Sequence, residues 1–195
     1  MQSVTISQDG EILVLSVNNP PVNALSWHVR QGISDGIEQG LKDDSVKAIV
    51  IRCEGQTFIA GADITEFGKP PQGPDFNAVL NTIETATKPV IAAIHGTALG
   101  GGLEFALAGH YRVAADNPKI KLGLPEAKGE LRDLEQRRVD VTVAPVARRL
   151  VRRQAQNRLD AGSASVMPKQ IGRESVLPQI SRRLSHRLCA IAQAA

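Results

Sequence analysis

Residues 88–104 read Lys-Pro-Val-Ile-Ala-Ala-Ile-His-Gly-Thr-Ala-Leu-Gly-Gly-Gly-Leu-Glu, and they constrain the fold more than any other stretch. The short apolar run Val90–Ile94, bounded by Pro89 and Gly96, predicts a core strand leading into a tight turn. Gly100, Gly101 and Gly102 then let backbone approach a ligand closely, and Leu103, Ala106 and Leu107 recur like one face of a helix. Free amides at a helix N-terminus stabilise negative charge, either on a bound phosphate or on an oxyanion formed during a reaction.

Two phosphate motifs fail on inspection. A P-loop counted from Gly96 needs Lys where Gly102 stands, and a dinucleotide fingerprint counted from Gly100 needs Gly where Phe105 stands. What remains is a glycine turn with a carboxylate, Glu104, in the first helical turn. That carboxylate either complements the helix dipole or takes part in chemistry.

The chain around this stretch reads as alternating strands and helices. Asp9-Gly10 between two β-rich runs predicts a hairpin turn, and Ser26 is a candidate N-cap. It precedes a helix whose Val29, Ile33, Ile37 and Leu41 form one apolar stripe. Glycines 32, 36 and 40 weaken such a helix by about 1 kcal/mol each relative to alanine, which implies close packing. Residues 46–51 and 57–59 read as strands, 69–74 as a Pro/Gly loop, and Phe76, Val79 or Leu80, and Ile83 as an amphipathic helix. A strand at 111–114, a turn at 116–118 and a run at 120–124 lead to Pro125-Glu126. This order implies an α/β fold with a buried sheet.

The sequence, 195 residues with 42% hydrophobic content, suits one ordinary domain with a sizeable core. No run reaches the ~18 apolar residues of a membrane span, and Met1-Gln2-Ser3 does not open a secretory leader. Two cysteines, Cys53 and Cys189, are too few for a disulfide framework, so a reduced, cytoplasmic protein is expected. His28, His95, His110 and His186 lack metal-ligand spacing, and no metal is expected. Charge is unevenly distributed: residues 1–128 hold 10 Lys+Arg against 14 Asp+Glu, whereas residues 129–195 hold 13 against 6. All six aromatic residues fall in the first part, and 12 of the 15 arginines in the second. Such asymmetry signals two domains, a tail or a change of reading frame.

Four blocks in order make a specific resemblance. They are Asn19-Pro20-Pro21-Val22-Asn23-Ala24-Leu25-Ser26; the run from Phe58-Ile59-Ala60-Gly61-Ala62-Asp63-Ile64 through Thr65-Glu66-Phe67-Gly68-Lys69-Pro70-Pro71; residues 88–104; and His110-Tyr111-Arg112-Val113-Ala114 with Gly123-Leu124-Pro125-Glu126. Over about residues 4–128 the chain resembles the crotonase (enoyl-CoA hydratase/isomerase) superfamily, and within it the N-terminal part of multifunctional fatty-acid oxidation enzymes. The resemblance implies a ββα-superhelix spiral whose C-terminal part is missing or replaced, and an acyl-CoA thioester substrate with coenzyme A arriving as part of it rather than as a separate cofactor. It places the two oxyanion amides on Ala62 and Gly101 and the catalytic carboxylates on Glu104 and Glu126. It assigns contacts to the substrate or its CoA portion to Asn23, Ala24, Leu25, Ala60, Gly61, Asp63, Ile64 and Gly100. The activity it implies is hydration of a 2-enoyl-CoA, with Δ3–Δ2 isomerisation as a second activity. The two glutamates stand 22 positions apart, about two more than in many relatives, with the extra length in residues 116–121.

The resemblance stops at about residue 128. Residues 129–195 are rich in Arg, Ala, Gln and Ser and are expected to be helical or disordered. The clearest helix pattern there is Ile180, Leu184, Leu188 and Ile191 with Ser181 as its cap. Neither nucleic-acid nor membrane binding is expected of this basic segment, which lacks interleaved aromatics. It is read as the product of a shifted frame or a truncated gene, or else as a true basic extension. A homo-oligomer is expected if the family's C-terminal contacts survive. The competing functional reading is a catalytically impaired acyl-CoA-binding or assembly fragment with a basic interaction tail.

Overall fold

A computed structural model of the chain describes residues 3–115, 117, 119–124 and 141–143. β-Branched and leucine residues dominate the first two strands, β1 (Val4–Asp9) and β2 (Ile12–Val17), which pair antiparallel with Asp9 opposite Ile12. The turn therefore centres on Gly10 and Glu11, one residue later than Asp9-Gly10 suggested. Only Gly10 takes a positive φ, 60°, so the glycine occupies the first central position, as in a type II′ turn. Every residue of β2 is buried, which fits a strand covered on both faces.

Helix α1 (Trp27–Lys42) crosses over to β3 (Ala48–Cys53), which pairs parallel with β2. Val29, Ile33 and Ile37 are buried as the stripe predicted, and Leu41 packs at its edge. The three glycines lie against the sheet. A Cβ on Gly32, Gly36 or Gly40 would come within 2.8 Å of Val4, 2.5 Å of Leu15 or 2.8 Å of Ile49 side-chain atoms. Strand β3 begins two residues later than expected because Val46 still donates to the Asp43 carbonyl, and Lys47 donates to that of Glu11 at 2.7 Å.

From β3 onward one unit recurs: a strand in a large sheet, a strand in a small sheet, then a helix. β3, β4 (Thr57–Ile59) and α2 (Phe76–Glu84) form one turn of it, and β5 (Val90–Ile94), β6 (Thr97–Leu99) and α3 (Gly101–Ala108) form the next. β7 (Tyr111–Ala114) and β8 (Leu122–Gly123) begin a third. With β9 at Val141–Val143, the large sheet has the order β1-β2-β3-β5-β7-β9 and the small one β4-β6-β8, all parallel apart from β1 with β2. This alternation is the ββα spiral that the family resemblance implied. Strand β6 was not expected: the segment between Gly96 and Gly100 was read as turn, yet it adds the central strand of the small sheet.

Strand β9 (Val141–Val143) pairs parallel with β7 at the edge, within the stretch for which helix or disorder was expected. The predicted helix around Ser181, the residues Pro125 and Glu126, and Asp116 and Pro118 of the predicted turn lie outside the described residues. Among the described residues no helix is long and apolar enough to cross a membrane.

Phe58 and Phe105, fully buried, share one core cluster with Ile59, Ala98 and Ala106, from β4, β6 and α3. Burying an aromatic or aliphatic side chain of this kind contributes about 1.5–3 kcal/mol, so this layer anchors α3 to the small sheet. From the other end, buried Arg112 on β7 donates from Nη1 to the carbonyls of Ala106 (3.3 Å), Leu107 (3.1 Å) and Gly109 (2.6 Å). It satisfies carbonyls that the helix end leaves without intrahelical donors, and its charge complements the dipole. Cys53 is buried at the end of β3.

Candidate active site

The small sheet sets the site. Because β4, β6 and β8 run parallel, their C-terminal ends lie side by side, the position at which parallel sheets present loops to ligands. The loop after β4 carries Ala60, Gly61, Ala62 and Asp63; the turn after β6 carries Gly100 and the start of α3; Leu124 follows β8.

Gly100 is the hinge of the second segment. Its φ of 53° and ψ of −131° suit glycine, its amide donates to the Gly123 carbonyl at 2.9 Å, and its carbonyl accepts from Leu103 and Glu104. Helix α3 consequently begins at Gly101, two residues before the start that Leu103 suggested. It can do so because Gly102 crosses β4 without a side chain: a Cβ there would stand 2.0 Å from the Ile59 carbonyl oxygen.

This crossing brings Gly101 against the first loop. A Cβ on Gly101 would lie 3.7 Å from the Ala62 nitrogen and 3.4 Å from Cζ of Phe76. Among the described residues, no carbonyl accepts from the Ala62 or the Gly101 amide. Two donors on neighbouring segments are thus left over, beside a gap where a methyl group would sit. Glu104 follows on the same first helical turn, half-buried, and no described group hydrogen-bonds its carboxylate.

The other expected site residues hold this arrangement in place. Leu25 forms a bridge with Ala62, and its amide donates to the Gly61 carbonyl at 2.9 Å. Asn23, buried with φ 52°, donates from Nδ2 to the carbonyls of Glu54 and Thr57, both at 2.8 Å, and accepts from the Asn19 amide at Oδ1. Its side chain thereby knits the two loops together. Ala24 accepts at its carbonyl from Ser26 and Asn19, and Ala60 donates to the Val22 carbonyl at 3.2 Å. Asp63 caps the short 3-10 turn Ile64–Glu66 through the Thr65 amide, and the Ile64 side chain is 76% exposed beside it. Glu126 lies outside the described residues, three positions beyond the end of β8.

Two residues given no role from the sequence, Arg30 on α1 and Glu66 at the end of the 3-10 turn, tie the start of α1 to the first loop. Ser26 stands at the N-cap position of α1, but its side chain makes no capping bond. Instead the Glu66 carboxylate accepts from the Trp27 amide and pairs with Arg30 at 3.0 Å. A signal was available: Arg30 is one of only three arginines in residues 1–128, and a carboxylate in a quoted motif had no partner assigned. Among the described residues no cluster of His, Cys, Asp and Glu is arranged to hold a metal ion.

The ββα repeat and the paired amides at the strand ends define a crotonase-type domain. The chain belongs to the enoyl-CoA hydratase/isomerase family, whose description matches residues 7–131. A peroxisomal bifunctional enzyme of Danio rerio is 50% identical over 115 residues, covering 59% of this chain and 16% of that protein. A probable enoyl-CoA hydratase of Bacillus subtilis (strain 168) is 43% identical over 133 residues, covering 65% of this chain and 51% of that protein. Among solved structures, an enoyl-CoA hydratase from Mycobacterium tuberculosis H37Rv aligns with a TM-score of 0.58 at 32% identity, covering 66% of this chain and 51% of that one. The chain thus spans about half the length of the Bacillus relative and 16% of the Danio protein.

Proposed function

We propose that this chain binds a 2-enoyl-CoA thioester and adds water across its double bond. In this reading the thioester oxygen accepts from the Ala62 and Gly101 amides, which hold the negative charge that develops there as water attacks. One such donor contributes about 10²–10³ in rate in acyl-transfer enzymes. Glu104 takes a proton from the attacking water, whose oxygen bonds to the β-carbon. Glu126 then delivers a proton to the α-carbon as the enolate collapses. Isomerisation of a 3-enoyl to a 2-enoyl ester is a second activity of the same site, with Glu126 as the proton shuttle.

The single observation that carries the reading is the approach of Gly101 to the Ala62 nitrogen, 3.7 Å from a Cβ position, with Glu104 on the same helical turn. It is supported by membership of the family and by relatives whose names include enoyl-CoA hydratase. The competing reading, acyl-CoA binding without turnover, draws on the departure of residues 129–195 from the family pattern, whose match ends at residue 131. Hydration of crotonyl-CoA by the purified chain, followed as loss of the conjugated enoyl absorbance, separates the two. Turnover above the uncatalysed rate supports the hydratase; tight binding of the ester with no loss of absorbance supports the binding fragment.

A further inference from the structure

Arg30 makes four described side-chain hydrogen bonds: two to the C-terminal end of the loop that joins β4 to α2, residues 60–75, one to Glu66 in its middle, and one to Leu25, which bridges to Ala62 at its start. Its Nε donates to the Pro74 carbonyl at 2.8 Å and its Nη2 to that of Gln72 at 3.1 Å. Its Nη1 donates to the Leu25 carbonyl at 2.6 Å and to Oε2 of Glu66 at 3.0 Å. The other oxygen of Glu66 accepts from the Trp27 amide at the start of α1. The Arg30 side chain is 12% exposed and that of Glu66 28%, so water screens this pair less than it would a surface bridge.

Each contact leads to one wall of the cleft. Leu25, held by its carbonyl, binds the Gly61 carbonyl through its own amide and forms the bridge with Ala62. Pro74, held at the far end of the loop, is followed by Asp75, the N-cap of α2, and by Phe76, whose ring edge faces Gly101. The planar guanidinium has donors on fixed vectors, so satisfying all four acceptors fixes both walls relative to α1. A lysine, with one nitrogen, cannot span that set.

We infer that Arg30, with Glu66 as its partner, is a positioning residue for the proposed reaction: it sets the Ala62 amide and the Phe76 wall in register with Gly101. The inference rests on the hydratase reading for its catalytic consequence and on the hydrogen-bond geometry alone for its effect on the loop.

The test uses the full chain with Arg30→Met, Arg30→Lys and Glu66→Gln, measuring amide hydrogen exchange and crotonyl-CoA kinetics together. In Arg30→Met, peptides covering residues 60–67 and 70–76 should exchange at least about tenfold faster, while residues 33–42 of α1 keep their protection. The kcat should fall by about 10–10²-fold with KM changed by less than about threefold, since misplaced donors weaken the transition state more than the ground state. Arg30→Lys should recover part of both effects. Glu66→Gln, which keeps an oxygen for the Trp27 amide, supplies the same readouts if Arg30→Met does not fold. Wild-type exchange in both loop peptides, or faster exchange with an unchanged kcat, would overturn the positioning role. Faster exchange in the variants, alongside a wild-type chain that itself hydrates nothing, would sink the hydratase reading and leave the positioning of the loop by Arg30 standing.

Discussion

The Ala62 nitrogen and Gly101 face one another so closely that a single added methyl group on the glycine would stand 3.7 Å from that nitrogen. Substitution at this glycine and at its neighbour therefore has opposite consequences. A methyl at Gly101 meets only ordinary contacts, the nearest being Cζ of Phe76 at 3.4 Å, whereas one at Gly102 would collide with the Ile59 carbonyl oxygen at 2.0 Å. Gly101→Ala should fold with a near-wild-type melting temperature but lose about 10²-fold or more in kcat/KM, because the methyl enters the space between the donors. Gly102→Ala should lose about 3 kcal/mol or more of stability, at the upper end of overpacking costs, since a carbonyl on a buried strand has nowhere to move. Thermal melts and crotonyl-CoA kinetics on the two proteins check the contrast.

Glu104 sits where an acid also complements the helix dipole, so its two roles must be separated by magnitude. Losing the dipole contribution costs about 0.3–1 kcal/mol of stability. Losing a general acid–base group costs about 10²–10⁴ in rate. Glu104→Gln should accordingly shift the denaturation midpoint slightly and lower kcat by at least about 10²-fold. A kcat within threefold of wild type would assign the side chain to the helix alone.

The packing of α1 sets propensity against space. Gly36→Ala gains about 1 kcal/mol of helix propensity. The new Cβ, however, would stand 2.5 Å from Leu15 Cδ2 in a layer where both residues are fully packed. Overpacking typically costs about 1–3 kcal/mol, so the substitution should destabilise by about 1 kcal/mol net. A urea titration showing stabilisation would mean that the Leu15 end moves freely and that the contact is not tight.

Burial pushes the Cys53 thiol well above its ordinary 9.0. The folded chain then keeps a proton that the unfolded chain releases near that pH. Stability is unaffected by this group below pH 9 and falls as pH rises above it, with a slope approaching about 1.4 kcal/mol per pH unit. In a Cys189→Ser background, the urea midpoint should drop more between pH 8 and pH 10 with Cys53 present than in Cys53→Val. Equal drops in the two proteins would show that Cys53 does not contribute.

The sequence and the structure agree where a local pattern and a tertiary demand coincide. The stripe of Val29, Ile33 and Ile37 and the run Val90–Ile94 are buried because their periodicity reflects the layers they fill. Glycines 32, 36 and 40 were readable as packing glycines because a helix interior has no other use for three of them. Strand β6 was not readable: Thr97, Ala98 and Leu99 are too few to show a period, and only pairing with β4 and β8 makes them a strand. Ser26 holds the cap position of α1 as its sequence context indicated, but the bond to the first helical amide comes from Glu66, 40 positions later, which no local rule points to. Ala62 and Gly101 came from the family resemblance, since a backbone donor leaves no signature in side-chain chemistry. Their approach depends on the crossing of Gly102 over Ile59, which no local pattern encodes.

The vibrational frequency of a ¹³C-labelled thioester carbonyl in bound crotonyl-CoA reports on the two amides without waiting for turnover. With Glu104→Gln to hold the ester unreacted, the carbonyl band should move to lower frequency on binding, and in Glu104→Gln/Gly101→Ala that shift should vanish. A band at the frequency of the free ester, with the ester demonstrably bound to the single variant, would contradict the pairing of Ala62 and Gly101 as its hydrogen-bond donors.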